Sequence, residues 1–164
     1  MNRLLLPAAM TAMLLAAACS SIDCPLNNMV YTNYIIYNSH GERDTLRDTL
    51  TVTTTSAEEG YDVVVLNKDV DIDSFSLPIS YALDCDVFYM ELTDSLGNTL
   101  NDTISVSKEN TQHFESLDCT PSYFHTITGV EYTRNAIDSL IITDTEVNYD
   151  FSKKHFRIYF NAID

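Results

Sequence analysis

The sequence predicts an all-β domain: a single β-sandwich, immunoglobulin-like in character, of about nine short strands behind an N-terminal signal segment. Three observations predict it. Val, Ile, Thr, Tyr and Phe dominate the stretches between turn residues, which is strand composition. Several stretches alternate apolar and polar residues with period two, and no window sustains the 3.6-residue apolar period of a helix. Turn signals break the chain into short segments throughout. A barrel is the alternative closure. A membrane-spanning barrel is disfavoured, because the segments are short and carry no aromatic girdles.

The clearest element is a hairpin. Phe88, Met90 and Leu92 face one way, with Val87, Tyr89 and Glu91 opposite. Asp94-Ser95-Leu96-Gly97-Asn98 reads as a turn, and the chain returns with Leu100, Ile104 and Val106 against Asn101, Thr103, Ser105 and Ser107. At the end of the chain Phe156, Ile158 and Phe160 alternate with His155, Arg157 and Tyr159. Further strands are expected over 29–37, 45–55, 61–66, 75–79, 123–132 and 137–147.

The N-terminus is organised differently. Arg3 precedes an apolar run from Leu4 to Ala18, and Cys19 follows. A positive start, an apolar run and a small-residue exit make the plan of a secretory signal. The run is shorter than the roughly 20 residues that span a bilayer, and Pro7 and Thr11 interrupt it. Leu15-Ala16-Ala17-Ala18-Cys19 resembles a bacterial lipobox, in which the Cys is acylated and becomes the first residue of the mature protein. The resemblance implies a signal peptide over 1–18, lipidation of Cys19, a tether over 19–23 and a sandwich domain over 24–164. Acyl chains on Cys19 would hold the protein at a membrane through about 0.8 kcal/mol per buried methylene. Ordinary signal cleavage with Cys19 left as a thiol is the alternative.

The net charge is −15, and the segment expected to be removed carries only Arg3. Nucleic-acid binding needs clustered Lys and Arg, so it is excluded as a function class. Attraction to anionic lipid by charge is disfavoured for the same reason. With Cys19 acylated, Cys24, Cys85 and Cys119 remain, which suggests one disulfide and one leftover thiol. No pair has C-x-x-C spacing, so neither a redox motif nor a zinc site is indicated.

The order of features carries a wider likeness. It runs signal, lipid Cys, nearby Cys24, a strand over 29–37, Leu77-Pro78, an aromatic strand, a polar strand ending near Cys119, Ile137–Ile142, and a terminal aromatic strand over 155–160. This is similar to a family of small, uncharacterised lipoproteins of Bacteroidota, a domain of unknown function. The likeness implies no activity. It does imply a disulfide between Cys24 and Cys119, the two cysteines that recur in the pattern. In that family the late Cys is usually followed by Gly; here Thr120-Pro121 follows.

Asp followed by Ser or Thr and then an apolar residue occurs at Asp44-Thr45-Leu46, Asp48-Thr49-Leu50, Asp94-Ser95-Leu96, Asp102-Thr103-Ile104 and Asp138-Ser139-Leu140, more often than composition predicts. It looks like an acceptor sequence for O-glycosylation of exported proteins, making Thr45, Thr49, Ser95, Thr103 and Ser139 candidates. Strand starts favour the same pattern, with Asp in the turn and Thr opening the ladder. Asp69, Asp71 and Asp73 have the spacing that opens an EF-hand loop, but Ser74 and Ser80 stand where Gly and Glu are needed; a solvated strand edge is the better reading. His40, His113, His125 and His155 lie at no zinc-ligand spacing. No catalytic signature is present.

The sequence therefore leads to a non-catalytic lipoprotein of the cell envelope, with no cofactor and no metal. It would be anchored by its lipid, facing the periplasm from the outer membrane, since only Asp23 is acidic in Ser20–Asp23 and surface-exported lipoproteins of Bacteroidota often carry an acidic run there. Another envelope protein or a glycan is the expected partner. A carbohydrate-binding accessory role, suggested by the tyrosines, is the alternative; a hydrolase is the third possibility.

Overall fold

The computed structural model describes residues 24, 29–56 and 60–161, and these form ten strands in two facing sheets with no helix. The strands are β1 (Tyr31–Tyr37), β2 (Thr49–Thr55), β3 (Asp62–Asp69), β4 (Ser74–Pro78), β5 (Cys85–Thr93), β6 (Thr99–His113), β7 (Ser122–Tyr132), β8 (Ile137–Ile142), β9 (Glu146–Val147) and β10 (Phe156–Phe160). One sheet runs β4-β1-β10-β8, and the other β3-β2-β5-β6-β7-β9. All neighbours are antiparallel except β1 and β10, which pair in parallel with Tyr34 opposite Phe156.

Period two decides which side chains close the sandwich. Leu50 and Val52, Phe88, Met90 and Leu92, and Ile104 and Val106 point inward from the larger sheet. Tyr34 and Ile36, Phe75 and Leu77, Leu140, and Phe156 and Ile158 meet them from the smaller one. Tyr34 is stacked between Phe75 and Phe156, with centroids 4.8 and 4.7 Å away.

The expected β5–β6 hairpin forms with Phe88 opposite Ile104 and Met90 opposite Asp102. Its turn is held by Asp94, whose Oδ1 accepts from the amides of Leu96 and Asn98 at 2.8 Å, while Gly97 takes a φ of 88°.

Three boundaries depart furthest from expectation. Residues 45–48 lie outside β2, with Leu46 in an isolated bridge to Ile72. The strand β6 runs six residues past the hairpin pairing and pairs with β7 as far as His113. The segment expected as one strand over 137–147 is two, in different sheets. The His155 carbonyl accepts from the amides of Thr143 and Asp144 at 2.8 and 3.4 Å, drawing the chain out of line between β8 and β9.

The passage from β7 to β8, where the chain changes sheets, is built around Asp102. Its carboxylate accepts from the amides of Asn135, Ala136 and Ile137 at 2.9, 2.6 and 2.8 Å and from the Thr133 hydroxyl. Burial pushes this carboxyl up, but the four donors outweigh it and hold it below the usual range.

Candidate functional site

The inward positions of β6 run Leu100, Asp102, Ile104, Val106, Lys108, so the alternation that fills the core also carries a lysine into it. Lys108 is buried, and its Nζ lies 3.0 Å from Oδ2 of Asp86 on β5. It also donates to the Leu83 carbonyl. Oδ2 of Asp86 accepts from the Ser80 amide at 3.2 Å. Burial raises the Asp86 carboxyl, and the facing ammonium opposes that rise. One turn of the ladder further, the Asn110 amide donates to the Leu83 carbonyl at 3.0 Å and accepts from His125 Nδ1 at 2.7 Å. Burial and the nearby Lys108 push His125 down to about 4, so its ring is neutral with the proton on Nδ1.

This polar column pins the 80–84 loop at one end of the sandwich. Two clefts flank it. One, of about 310 Å³, is lined by residues that include Thr54, Pro78, Ser80 and Asp86. The other, of about 360 Å³, is lined by residues that include Val30, Ile79, Thr120, Pro121 and His125. Tyr81 stacks on Tyr123 across this end, with centroids 5.2 Å apart. Cys24 is bonded to Cys119 at the same end, in the β6–β7 loop, 95 residues away in sequence. Cys85 is a free, exposed thiol. Leu83, Phe114 and Leu117 stand exposed on the loops here.

The other candidate residues are scattered. Cys19 lies outside the described residues, as do the signal segment and the tether. Thr45 is exposed before β2, Thr49 opens β2, Ser95 is exposed in the β5–β6 turn, and Ser139 lies on edge strand β8. Thr103 is different: it sits mid-strand in β6, flanked by β5 and β7, and its amide donates to Thr133. Asp69, Asp71 and Asp73 do not share a strand edge. β3 ends at Asp69, Asp71 turns the chain with a φ of 55°, and Asp73 pairs with Arg43 at 3.0 Å. Among the described residues no cluster of three His, Cys, Asp or Glu could hold a metal ion. The terminal alternation puts Phe156 and Ile158 inside, yet His155 is buried as well. Its Nδ1 accepts from the Asn33 amide at 2.9 Å and its Nε2 donates to the Glu146 carbonyl at 3.1 Å. That arrangement needs a neutral ring, and burial keeps it so by lowering its proton affinity. The tyrosines form no single platform: Tyr34 is in the core, Tyr37 lies 5.8 Å from Tyr159 on the smaller sheet, and Tyr89 is exposed on the larger.

Sequence reasoning missed Lys108 and Asp86, and it read Asp102 only as part of an Asp-Thr motif, not as a buried acceptor. Each stands at an inward position of a strand whose apolar neighbours were read correctly, and that register was the available signal.

No curated protein matches the chain, and neither does any solved structure. The model of a family of unknown function (DUF6452) matches residues 49–160, from the start of β2 to the end of β10, and the chain belongs to that family.

Proposed function

We propose that the protein is a non-catalytic cell-envelope lipoprotein: a rigid sandwich held at a membrane by an acylated Cys19, facing the periplasm from the outer membrane, and presenting its surface to another envelope component. The observation that carries this reading is the bond between Cys24 and Cys119. Only Ser20–Asp23 separate Cys19 from Cys24. Five peptide units reach at most roughly 18 Å, so an acyl group on Cys19 keeps this end of the domain beside the lipid. A disulfide also suits an oxidising compartment. The buried ionisable groups favour a structural role, since Asp86, Lys108, Asp102 and His155 are engaged with partners inside the fold. Mass spectrometry of the N-terminal peptide from membranes tests the anchor: acyl chains on Cys19 are expected, and an unmodified thiol there rejects it. Protease treatment of whole cells tests the orientation, which fails if the domain is removed.

A glycan is the second reading, favoured by one feature. On the outer face of the larger sheet, exposed Tyr89 is ringed by Thr51, Thr53, Glu91, Asn101 and Thr103 around a depression of about 430 Å³. An aromatic face among hydroxyl and amide groups suits a sugar. Glycan-array binding lost in Tyr89→Ala would support it; no binding to any glycan rejects it.

A further inference from the structure

We propose that the loops around the disulfide are a second membrane contact, with Leu117, Phe114 and Leu83 resting in the interfacial layer of a lipid bilayer with electrically neutral headgroups. This rests on acylation of Cys19.

Leu117 is 98 % exposed, the most exposed large apolar side chain among the described residues, and it lies two residues from Cys119. The Cα atoms of Cys24 and Cys119 are 5.5 Å apart. Leu117 is therefore at most roughly 13 Å from the point where the tether leaves the domain. Phe114 is on the same loop. Leu83 lies on the neighbouring loop, which Lys108 and Asn110 fix through its carbonyl. Exposed leucine and phenylalanine side chains cost free energy in water, and lipid held within a short leash would relieve that cost. Their surroundings choose the headgroup. Asp84, Glu115 and Asp118 stand among them, and such carboxylates repel an anionic surface. The β5–β6 turn with Leu96 lies at the other end of the 15-residue β6, roughly 45 Å away.

The protein contains no tryptophan, so one introduced indole is a clean depth probe. Leu117 and Leu96 are 98 % and 85 % exposed, so Leu117→Trp and Leu96→Trp leave the core untouched. Each variant, matured in its native host and purified with whatever group Cys19 carries, is reconstituted into phosphatidylcholine–phosphatidylethanolamine vesicles, with or without chain-brominated lipid as quencher. The expected result is blue-shifted emission from Leu117→Trp that brominated lipid lowers by roughly twofold or more, with Leu96→Trp unshifted and unquenched. Equal, weak quenching of the two variants in protein that floats with the vesicles overturns the contact and leaves the anchor standing. Protein that does not float with the vesicles overturns the anchor, and the contact with it.

Discussion

The ammonium of Lys108 and the carboxylate of Asp86 meet at 3.0 Å with both side chains buried, a charge pair spanning the two central strands of the larger sheet. Such a pair is costly to break and cheap to replace, because a lone buried charge loses its solvation without compensation. Lys108→Ala is expected to lower unfolding stability by about 3–5 kcal/mol. The double variant Lys108→Met with Asp86→Leu should come within about 1 kcal/mol of the parent or exceed it. Urea unfolding of the two variants checks this, and a single variant as stable as the parent would reject it.

Asp102 makes a second prediction. Asparagine in its place puts an NH₂ against donors that now meet a carboxylate oxygen. A hydrogen bond to a charged acceptor contributes about 1.5–3 kcal/mol, so Asp102→Asn should cost at least that much. The loss should come with faster amide exchange at Ala136 and Ile137, whose N–H groups Asp102 holds. Unchanged protection at those two amides would contradict the arrangement.

Acid should loosen the fold first through its histidines. In the unfolded chain a histidine takes up its proton near pH 6.5, whereas folded His125 does so only at about 4, and His155 is also shifted down. Between those limits the unfolded chain binds more protons. Stability is therefore full above about pH 6.5 and falls as pH drops, by at most about 1.4 kcal/mol per pH unit for each ring. Asp86, shifted up, opposes this slope at the acid end of the window, since its protonation favours the folded chain. His125→Gln should flatten the profile between pH 6.5 and 4.5. A slope identical to the parent's would clear His125 of the effect.

The disulfide closes a separation of 95 residues, for which chain entropy alone predicts about 4.7 kcal/mol. Measured losses usually fall below that ceiling, so Cys24→Ser with Cys119→Ser should cost about 2–4 kcal/mol. The Cys85→Ser variant, which leaves the bridge intact, should unfold like the parent. A Cys85-containing disulfide in non-reducing peptide maps would overturn the pairing.

The five Asp-Ser/Thr motifs are not equivalent in space. Thr45 and Ser95 stand on exposed loops, whereas Thr103 lies mid-sheet beside the buried Asp102. Glycopeptide mapping of protein from its native host should find O-glycans at Thr45 or Ser95 ahead of Thr103. Occupancy confined to Thr103 would contradict this order.

The hairpin of β5 and β6 was legible because its signals are local: alternating Phe88, Met90 and Leu92, a turn with Asp94 and Gly97, and the returning Ile104 and Val106. The split between β8 and β9 was not, because the carbonyl that diverts the chain belongs to His155, more than ten residues downstream. Lys108 and Asp102 hid for another reason. An inward register read only through apolar side chains passes over the polar ones at the same positions, and burial of a charge is settled by partners on other strands. Local alternation also carries no information on sheet order, so the parallel pairing of β1 with β10 had no local trace.

That pairing sets when the domain can first exist. β10, the last of the described strands to leave the ribosome, is interior to its sheet, with β1 on one side and β8 on the other. Until Phe160 has been made, two strands face an empty lane between them, and the apolar layer they share with the larger sheet stays open. A nascent chain is thus kept from closing until β10 has emerged, and a chain cut before Phe156 would lose the middle of a sheet rather than fray its border.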